Sequence, residues 1–316
     1  MPGIRPDPGF LAPAPTLLDI RPLPAESTAS WLQRLADAHH LAPAHLLDGL
    51  AITTSGRPSR TPAGSELHLD HTAQHRLAAF TRLPHHHLAR ALPHLGTPSP
   101  AAGPGHARTG HAGGHAWWRR LDPRHAPLRA CPTCTLRRTA GTTNHALAYQ
   151  PDHTRLCPRH HRWAAGPHHS LSTAALPELD TAYRSHQRLQ RRTDAADAWT
   201  WATAITTRWH DHSTHTTLAA RWRHRRHLLQ HANPGVQPVT GSWTLLARDA
   251  VTYPQTVTLA RTLATTPPFP ASRPGRADPR VHAFLDQTAT ALGLPHLTAL
   301  PGNLLTTWTH HHTRNR

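Results

Sequence analysis

Three cysteines, placed in two similar short motifs, constrain this chain more than any other feature of its sequence. Two residues separate Cys131 from Cys134, two separate Cys157 from His160, and both motifs begin with Cys-Pro. This spacing lets two side chains from one tight turn reach the same ion, and two such turns complete the tetrahedral coordination of Zn²⁺. A closed Cys₃His set leaves no position for water, so the sequence predicts one structural zinc and no catalytic metal.

The fourth ligand and the metal itself have alternatives in the sequence. His145, His153 and His161 also lie near these motifs, and a histidine beside a cysteine carries little weight in a chain with 32 histidines. A disulfide is the other use of paired cysteines, but the odd number of cysteines and the lack of a secretory signal argue against it.

The charge of the chain predicts a polyanionic partner. The net charge is +17, and 34 basic residues, all of them arginine, face 17 acidic residues. A GC-rich genome would explain arginine in place of lysine, but not the excess of arginine over acid. Arginine suits bidentate phosphate contacts, so DNA is the expected partner. The absence of lysine excludes a Walker-type ATPase.

The expected location is the cytoplasm, with no membrane partner. No apolar run approaches the roughly 20 residues that span a bilayer. Residues 1–5 resemble no signal peptide.

Hydrophobic periodicity predicts a mostly α, multidomain protein with N-terminal helix-turn-helix units, a small zinc ribbon and a C-terminal helical domain. The predicted segments are an extended stretch 1–20, a helical region 21–96, a linker 97–116, a zinc-ribbon module 117–166 and a helical domain 167–316 with a Pro-rich linker at 266–280. The residues from Asn144 to Gln150 have room for a strand of the ribbon.

Two helix pairs are predicted in the region 21–96. The first helix covers 26–36 with a cap at Ser27 or Ser30, and the second begins at Pro43. The next pair begins at Asp70 or Thr72, breaks at 81–84 and turns its polar residues outward: His86, His87 and Arg90. Arg90 is the candidate contact to bases, although most helix pairs never touch DNA.

Beyond Pro177 the chain is predicted to be helical at 178–192, 195–209, 215–231, 242–265 with a break near Pro254, and 280–292. The third of these helices carries the basic run of Arg221, Arg223, Arg225 and Arg226. Four arginines so close together repel one another unless anions balance them, which makes them candidate phosphate contacts. A solvated helix face is the alternative interpretation.

Nothing in the sequence predicts an enzyme. Asp152 and His153 beside Cys157 resemble an HNH nuclease, but that fold needs a long hairpin where only three residues intervene. The 17 acidic residues form no evident metal-binding set. A nuclease or transposase, built from carboxylates distant in sequence, remains the alternative from a different class.

Three patterns together resemble the TniQ family. The first is Arg21-Pro22-Leu23-Pro24-Ala25-Glu26-Ser27 running into Ser30-Trp31-Leu32, the second the helix pair between Leu77 and Leu92, and the third the two cysteine motifs. The resemblance covers about residues 20–165. The stretch from Tyr253 to Val257 resembles longer actinobacterial members less specifically.

This resemblance implies an accessory protein of transposition that helps select the target. Such proteins link a DNA-guided or RNA-guided targeting complex to an AAA+ ATPase that recruits the transposase. It implies zinc ligands at Cys131, Cys134, Cys157 and His160, with DNA, a guide RNA or CRISPR-type complex, the ATPase and a second copy of the chain as partners. Many members carry a second cysteine pair, which residues 162–180 lack. A free-standing helix-turn-helix regulator that binds a palindrome is the alternative function.

Overall fold

The described residues of the computed structural model are 20–59, 63–96, 113–239, 241–269, 279–297 and 304–314. They form eleven α-helices and eight short strands, which confirms the mostly α prediction. The chain divides into two compact units, Met1–Gln150 and Pro151–Arg316. The helix-turn-helix character of the N-terminal helix pairs and the five predicted segments stay predictions.

The described residues of the first unit form five helices and five strands. In chain order they are α1 (Thr28–Ala38), α2 (Pro43–Gly49), β1 (Ile52–Ser55), β2 (Ser65–Leu69), α3 (His71–Thr81), α4 (His85–Ala91), β3 (Gly114–Arg120), β4 (Leu128–Arg129), α5 (Pro132–Arg138) and β5 (Leu147–Ala148). One face of α1 is buried, formed by Trp31, Leu32, Leu35 and Ala36, and Ser27 caps the helix as expected.

A three-stranded sheet in this unit was not predicted. Strand β3 lies between β1, to which it is parallel, and β2, to which it is antiparallel. The polar segment from Thr53 to Ser65 therefore begins and ends in strands, and the last three residues of the predicted linker 97–116 belong to β3. One residue of four is buried in β1 and all five are buried in β2, so these short strands lack the alternation by which a strand is recognised in sequence.

Gly114 allows α3 to approach this sheet closely. A Cβ at this position would lie 2.7 Å from the backbone N and Cα of Ala73, well inside van der Waals contact. Asp70 fixes the same junction, because its Oδ1 accepts from the Ala73 N–H at 2.7 Å and its Oδ2 from the His115 N–H at 2.9 Å. The start of α3 is thus positioned against β3.

The resemblance motif near the N terminus forms a buried ion pair. Glu26 is fully buried and accepts from Arg34 Nε at 2.8 Å and from Arg34 Nη2 at 2.6 Å. Its second set of donors is the Leu23 N–H at 2.8 Å and Ser30 Oγ at 2.9 Å. All the strong acceptor positions of the carboxylate are satisfied, as a buried charge requires. The motif is therefore a folding element of the first unit.

A second buried carboxylate joins distant segments of this unit. Glu66 on β2 accepts from the Tyr149 hydroxyl at 2.6 Å and from the Ala29 N–H at 3.0 Å. Burial raises the pKa of Glu66, although these hydrogen bonds favour its ionised form. Through this side chain β2 is tied to the start of α1 and to the residue after β5.

In the described part of the second unit, three short strands are followed by six helices. The strands are β6 (Leu156–Cys157), β7 (Arg162–Ala164) and β8 (Ser170–Ser172), and the helices are α6 (Glu178–Leu189), α7 (Ala195–Asp211), α8 (Thr216–His231), α9 (Trp243–Thr265), α10 (Pro279–Leu292) and α11 (Leu304–Arg314). Strand β7 pairs antiparallel with β6 and with β8. The five predicted helices end within three residues of the observed ones, and α11 was missed.

Helix α9 is the centre of this unit and packs against α6, α7, α8 and α10. The predicted break near Pro254 is wrong, because α9 continues through it. Proline lacks the N–H of one helical hydrogen bond. Three residues before Pro254, Arg225 of α8 donates to the carbonyl of Val251 at 2.7 Å and so joins α8 to this part of α9.

Some predictions fall on residues outside the described ones. These are nearly all of the extended segment 1–20, most of the linker 97–116 and the centre of the linker 266–280. Among the helices within the described ranges, none combines the length and apolar character needed to cross a membrane.

Candidate metal centre and arginine surfaces

The first cysteine motif lies at the start of α5. Cys131 is the N-cap residue, and Pro132 occupies the first helical position, where its missing N–H is not needed. The Ala130 N–H donates to the carbonyl of Ala146 at 2.9 Å, beside the antiparallel pair of β4 and β5. The short helix therefore presents the sulfurs of Cys131 and Cys134 from one turn.

The second motif forms a turn at the end of β6. The His160 N–H donates to the carbonyl of Cys157 at 3.3 Å, which closes the turn. This brings His160 Nδ1 to 3.6 Å from Cys157 Sγ. The next residue, His161, has a positive φ of 46° and so reverses the chain direction into β7.

The structure groups the four predicted ligands. One donor atom from each of Cys131, Cys134, Cys157 and His160 lies within 4.8 Å of the others, and all four residues are half-buried. Among the alternative histidines, His161 instead places Nδ1 3.2 Å from the Asp180 carboxylate. His160 is thus the fourth member of the group, and His145 and His153 are not part of it.

The chemistry of this donor set fits a metal ion. Three sulfurs and one imidazole nitrogen are the ligands of structural Zn²⁺ sites, in which donor atoms lie about 3.5 Å apart around a tetrahedral ion. The four donor atoms lie within 4.8 Å of one another, so they need to move only slightly closer together to reach that separation. The four residues lie close together and could bind a metal ion.

A salt bridge that the sequence did not reveal holds the segment before Cys157. Arg155 Nη1 lies 2.8 Å from Asp249 Oδ2 on α9, and its guanidinium lies 5.6 Å from the Trp163 ring centroid. Burial alone would raise the pKa of Asp249, but the positive charges of Arg155 and Arg248 hold this pKa below its ordinary value. The partners are about ninety residues apart, so no local pattern could have indicated them.

The arginine run on α8 separates into two classes. Arg225 is buried, with Nε 2.9 Å from Glu178 Oε1 and Nη1 2.6 Å from Gln255 Oε1. Arg221 donates from Nη1 to the Leu292 carbonyl at 2.8 Å, at the end of α10. Both side chains are used within the second unit, where they join α8 to α6, α9 and α10.

Arg221 is nevertheless exposed, and the other two arginines of the run also face outward. Arg223 is exposed, and Arg226 is half-buried and donates to Thr244 Oγ1 at 2.8 Å. Arg90 lies far from them in sequence, exposed in the last turn of α4 beside His86 and His87. The structure thus brings Arg223 and Arg226 together and leaves Arg90 on a separate helix.

Comparison with protein-family models gives a match to TniQ over residues 17–163. The matched range begins before the Glu26 motif and ends just after His160, so it includes all four members of the metal-binding group. Neither curated proteins nor solved structures give a match to this chain.

Proposed function

We propose that this chain, which belongs to the TniQ family, is a non-catalytic adaptor that helps select the target of a transposon and recruits its AAA+ ATPase and transposase. The family makes it a transposition-associated accessory protein. The observation that carries the finer proposal is the match over residues 17–163, because it covers both the buried Glu26–Arg34 motif and the Cys₃His group.

In this proposal the Cys₃His group holds one structural Zn²⁺. Zinc would fix the turns at Cys131–Cys134 and Cys157–His160 by coordination, in segments whose strands are only two or three residues long. Such short elements bury little apolar surface and gain most of their stability from the metal. A filled coordination sphere gives the ion no catalytic water.

The adaptor would bind DNA, or a guide RNA, through exposed arginines. Arg90, Arg223 and Arg226 support this proposal, because each is exposed or half-buried on a helix surface. The sequence also predicts Arg221 and Arg225 as phosphate contacts, but their hydrogen bonds within the second unit favour a structural role. The net charge of +17 favours a polyanion as the partner.

Reconstituted transposition tests the adaptor function. The chain is combined with the AAA+ ATPase and the transposase of the same element, and insertions into a target plasmid are sequenced. Insertion at the preferred target should require the chain, and the chain alone should neither hydrolyse ATP nor cleave DNA with Mg²⁺ or Mn²⁺. Unchanged target choice without the chain would contradict the proposal.

Two variants sharpen this assay. Arg90→Ala should change the distribution of insertion sites or weaken preferred binding by roughly tenfold, if α4 enters a groove. Arg57→Ala removes the same charge from an exposed residue between β1 and β2 and should leave the distribution unchanged. Equal behaviour of the two variants would remove α4 from target recognition.

A free-standing regulator is the second candidate function. The observation that favours it is the exposed set of His86, His87 and Arg90 on α4, the second helix of a closely joined pair. A regulator of this type would bind a palindromic site as a homodimer, with no need for an ATPase. Size-exclusion chromatography with light scattering, on the chain with and without a palindromic duplex, distinguishes it from the adaptor.

A further inference from the structure

An open cavity of about 590 Å³ lies in the second unit where the end of α7, the outer face of α8 and the start of α9 meet. The two outward-facing arginines of α8, Arg223 and Arg226, form part of its wall. Of the four arginines in the run, Arg223 and Arg226 therefore line the cavity, whereas Arg221 and Arg225 form hydrogen bonds to other helices of the second unit.

The lining of this cavity is rich in donors. Arg226 donates one guanidinium N–H to Thr244 Oγ1 at 2.8 Å, and this hydrogen bond orients the arginine side chain. Arg223 has no hydrogen-bond or ion-pair partner among the described residues and keeps its full set of donors. Ser213 and Thr216, which carry hydroxyl groups, line the same space.

Among the described lining residues, the one carboxylate is already balanced by neighbouring groups. Asp211 Oδ2 lies 3.7 Å from Arg248 Nη1, and Asp211 Oδ1 lies 3.1 Å from His210 Nδ1. Arg248 also lies 3.2 Å from Asp249, but the nearer partner of Asp249 is Arg155 at 2.8 Å. Arg155 and Arg248 together therefore offset Asp249 and Asp211, and the positive charges of Arg223 and Arg226 are left uncompensated in the cavity. An anion is the ligand that this arrangement favours.

We propose that the cavity binds a phosphate of a nucleic-acid backbone, with Arg223 and Arg226 as its ligands. Guanidinium groups match phosphate oxygens in bidentate geometry. Leu245, 53% exposed at the cavity, offers an apolar surface to the adjoining sugar. A long polyanion is favoured over a single acidic peptide, because the whole chain carries a net charge of +17.

This inference rests on the proposed nucleic-acid partner and specifies how Arg223 and Arg226, which lie outside the TniQ match, would bind it. Duplex DNA and single-stranded RNA share the phosphodiester and serve as two arms of one test. Fluorescence anisotropy at several salt concentrations compares the wild type with Arg223→Ala/Arg226→Ala. Binding should weaken roughly tenfold or more. The slope of log K against log salt should fall by about 0.9 on the duplex or about 0.7 on the single strand per lost phosphate contact.

The matched control is Arg184→Ala/Arg188→Ala on α6. Both residues are exposed, lie in the same unit and remove the same charge. Their loss acts only through screened long-range attraction, so binding should change by less than about threefold at physiological salt. The nucleic acid that separates the two double variants identifies the source of the phosphate.

Arginine-specific modification by phenylglyoxal, read by peptide mass spectrometry, gives a second measurement on the unaltered chain. Bound nucleic acid should protect Arg223 and leave Arg184 reactive. If the wild type binds but Arg223 is not protected, or both double variants weaken binding equally, the cavity site is refuted while nucleic-acid binding stands. If the wild type binds neither DNA nor RNA, the nucleic-acid part of the proposed function fails as well, and an acidic protein segment becomes the occupant to test.

Discussion

Two helices of the first unit begin at a capping side chain, whereas the long helices α6 to α9 of the second unit begin without one. Ser27 Oγ accepts from the Ser30 N–H at 3.1 Å at the start of α1, and Asp70 caps α3. The N-cap residues of α6, α7, α8 and α9 make no side-chain capping bond. The first unit also buries the Glu26–Arg34 ion pair, which ties α1 to the chain before it.

The two capped helices have 11 residues each, whereas α6 to α9 have 12 to 23 residues. Length alone does not decide capping, because α2, α4 and α5 have 7 residues each and also begin without a side-chain cap. Isolated helices below about 12 residues are marginal, so polar contacts such as the caps of α1 and α3 contribute a larger share of their stability. Longer helices can rely on a buried apolar face, and α9 supplies a common partner for its neighbours. The comparison predicts that the two units respond differently to the loss of single polar groups.

The largest expected effect comes from the proposed zinc. Cys157→Ser should lower the zinc content from one ion per chain to nearly none, because a coordination sphere of three ligands binds far more weakly. Structural zinc contributes on the order of 10 kcal/mol to folding in isolated zinc-finger peptides. Circular dichroism should nevertheless keep the signal of α6 to α9, which have an apolar core. Elemental analysis and far-ultraviolet spectra of the purified variant measure both.

His161→Gln is the control for this variant. His161 is adjacent to His160 but contacts Asp180, so its replacement should leave the zinc content at one per chain. Full zinc retention by Cys157→Ser would refute the site. A complete loss of helix in the same variant would instead break the comparison, because it would make the long helices depend on the metal.

The buried ion pair should give the next largest effect. Arg34→Met leaves the fully buried Glu26 carboxylate without its guanidinium partner. Loss of one partner from a buried pair typically costs 3–5 kcal/mol, that is about 4 kcal/mol of unfolding free energy. Asp37→Asn is the control, because it also removes one charge from α1, but on the exposed side of the helix. It should change the free energy of unfolding by less than about 0.5 kcal/mol. Urea unfolding measures both variants, and equal free energies would contradict the assigned role of the pair.

The sequence predicted the second unit better than the first for a related reason. The boundaries of α7, predicted as 195–209 and observed as Ala195–Asp211, follow from a periodic pattern that repeats over several turns. Strands β1 and β3 pair across about sixty residues and have only four and seven residues, so no local pattern specifies their partners. Long-range pairing of short elements is what a single sequence conceals.

The candidate sites show the same limit. The cysteine motifs could be recognised because the spacing within each turn fixes which atoms converge, and the structure brings their four members together. The arginine run carried no such information. Its members are alike in sequence, and only the positions of Glu178, Gln255 and the end of α10 separate the structural arginines from those that face the cavity.

Acid should affect the second unit through His186. This side chain is buried, with Nδ1 3.0 Å from the Tyr253 hydroxyl and its ring stacked on Trp199 at 3.9 Å between centroids. Burial lowers the pKa of His186 to about 4. The unfolded histidine, with a pKa near 6.5, takes up the proton first. The contribution of His186 to the free energy of unfolding is therefore fully present above about pH 6.5. It is lost as the pH falls towards 4, and the total loss is about 3 kcal/mol.

His186→Gln should flatten this dependence, measured as the unfolding free energy between pH 7 and pH 4. Glu66 in the first unit should give a pH dependence of stability with the opposite sign. Because burial raises its pKa, its stabilising contribution is present below the unfolded value of 4.5 and is lost as the pH rises through the folded pKa. Glu66→Gln should therefore reduce a loss of stability on raising the pH. Identical pH profiles for the two variants would contradict both assignments.

The smallest expected effect tests the caps directly. Ser27→Ala removes the acceptor for the Ser30 N–H at the start of α1 and should lower the free energy of unfolding by about 1 kcal/mol. Ser242→Ala makes the same chemical change at the N-cap of α9, where the hydroxyl makes no capping bond, and should have an effect near zero. Thermal and urea unfolding of the two variants under identical conditions measure the difference. If Ser242→Ala costs as much as Ser27→Ala, the long helices depend on their ends as much as the short ones do, and packing around α9 does not replace capping.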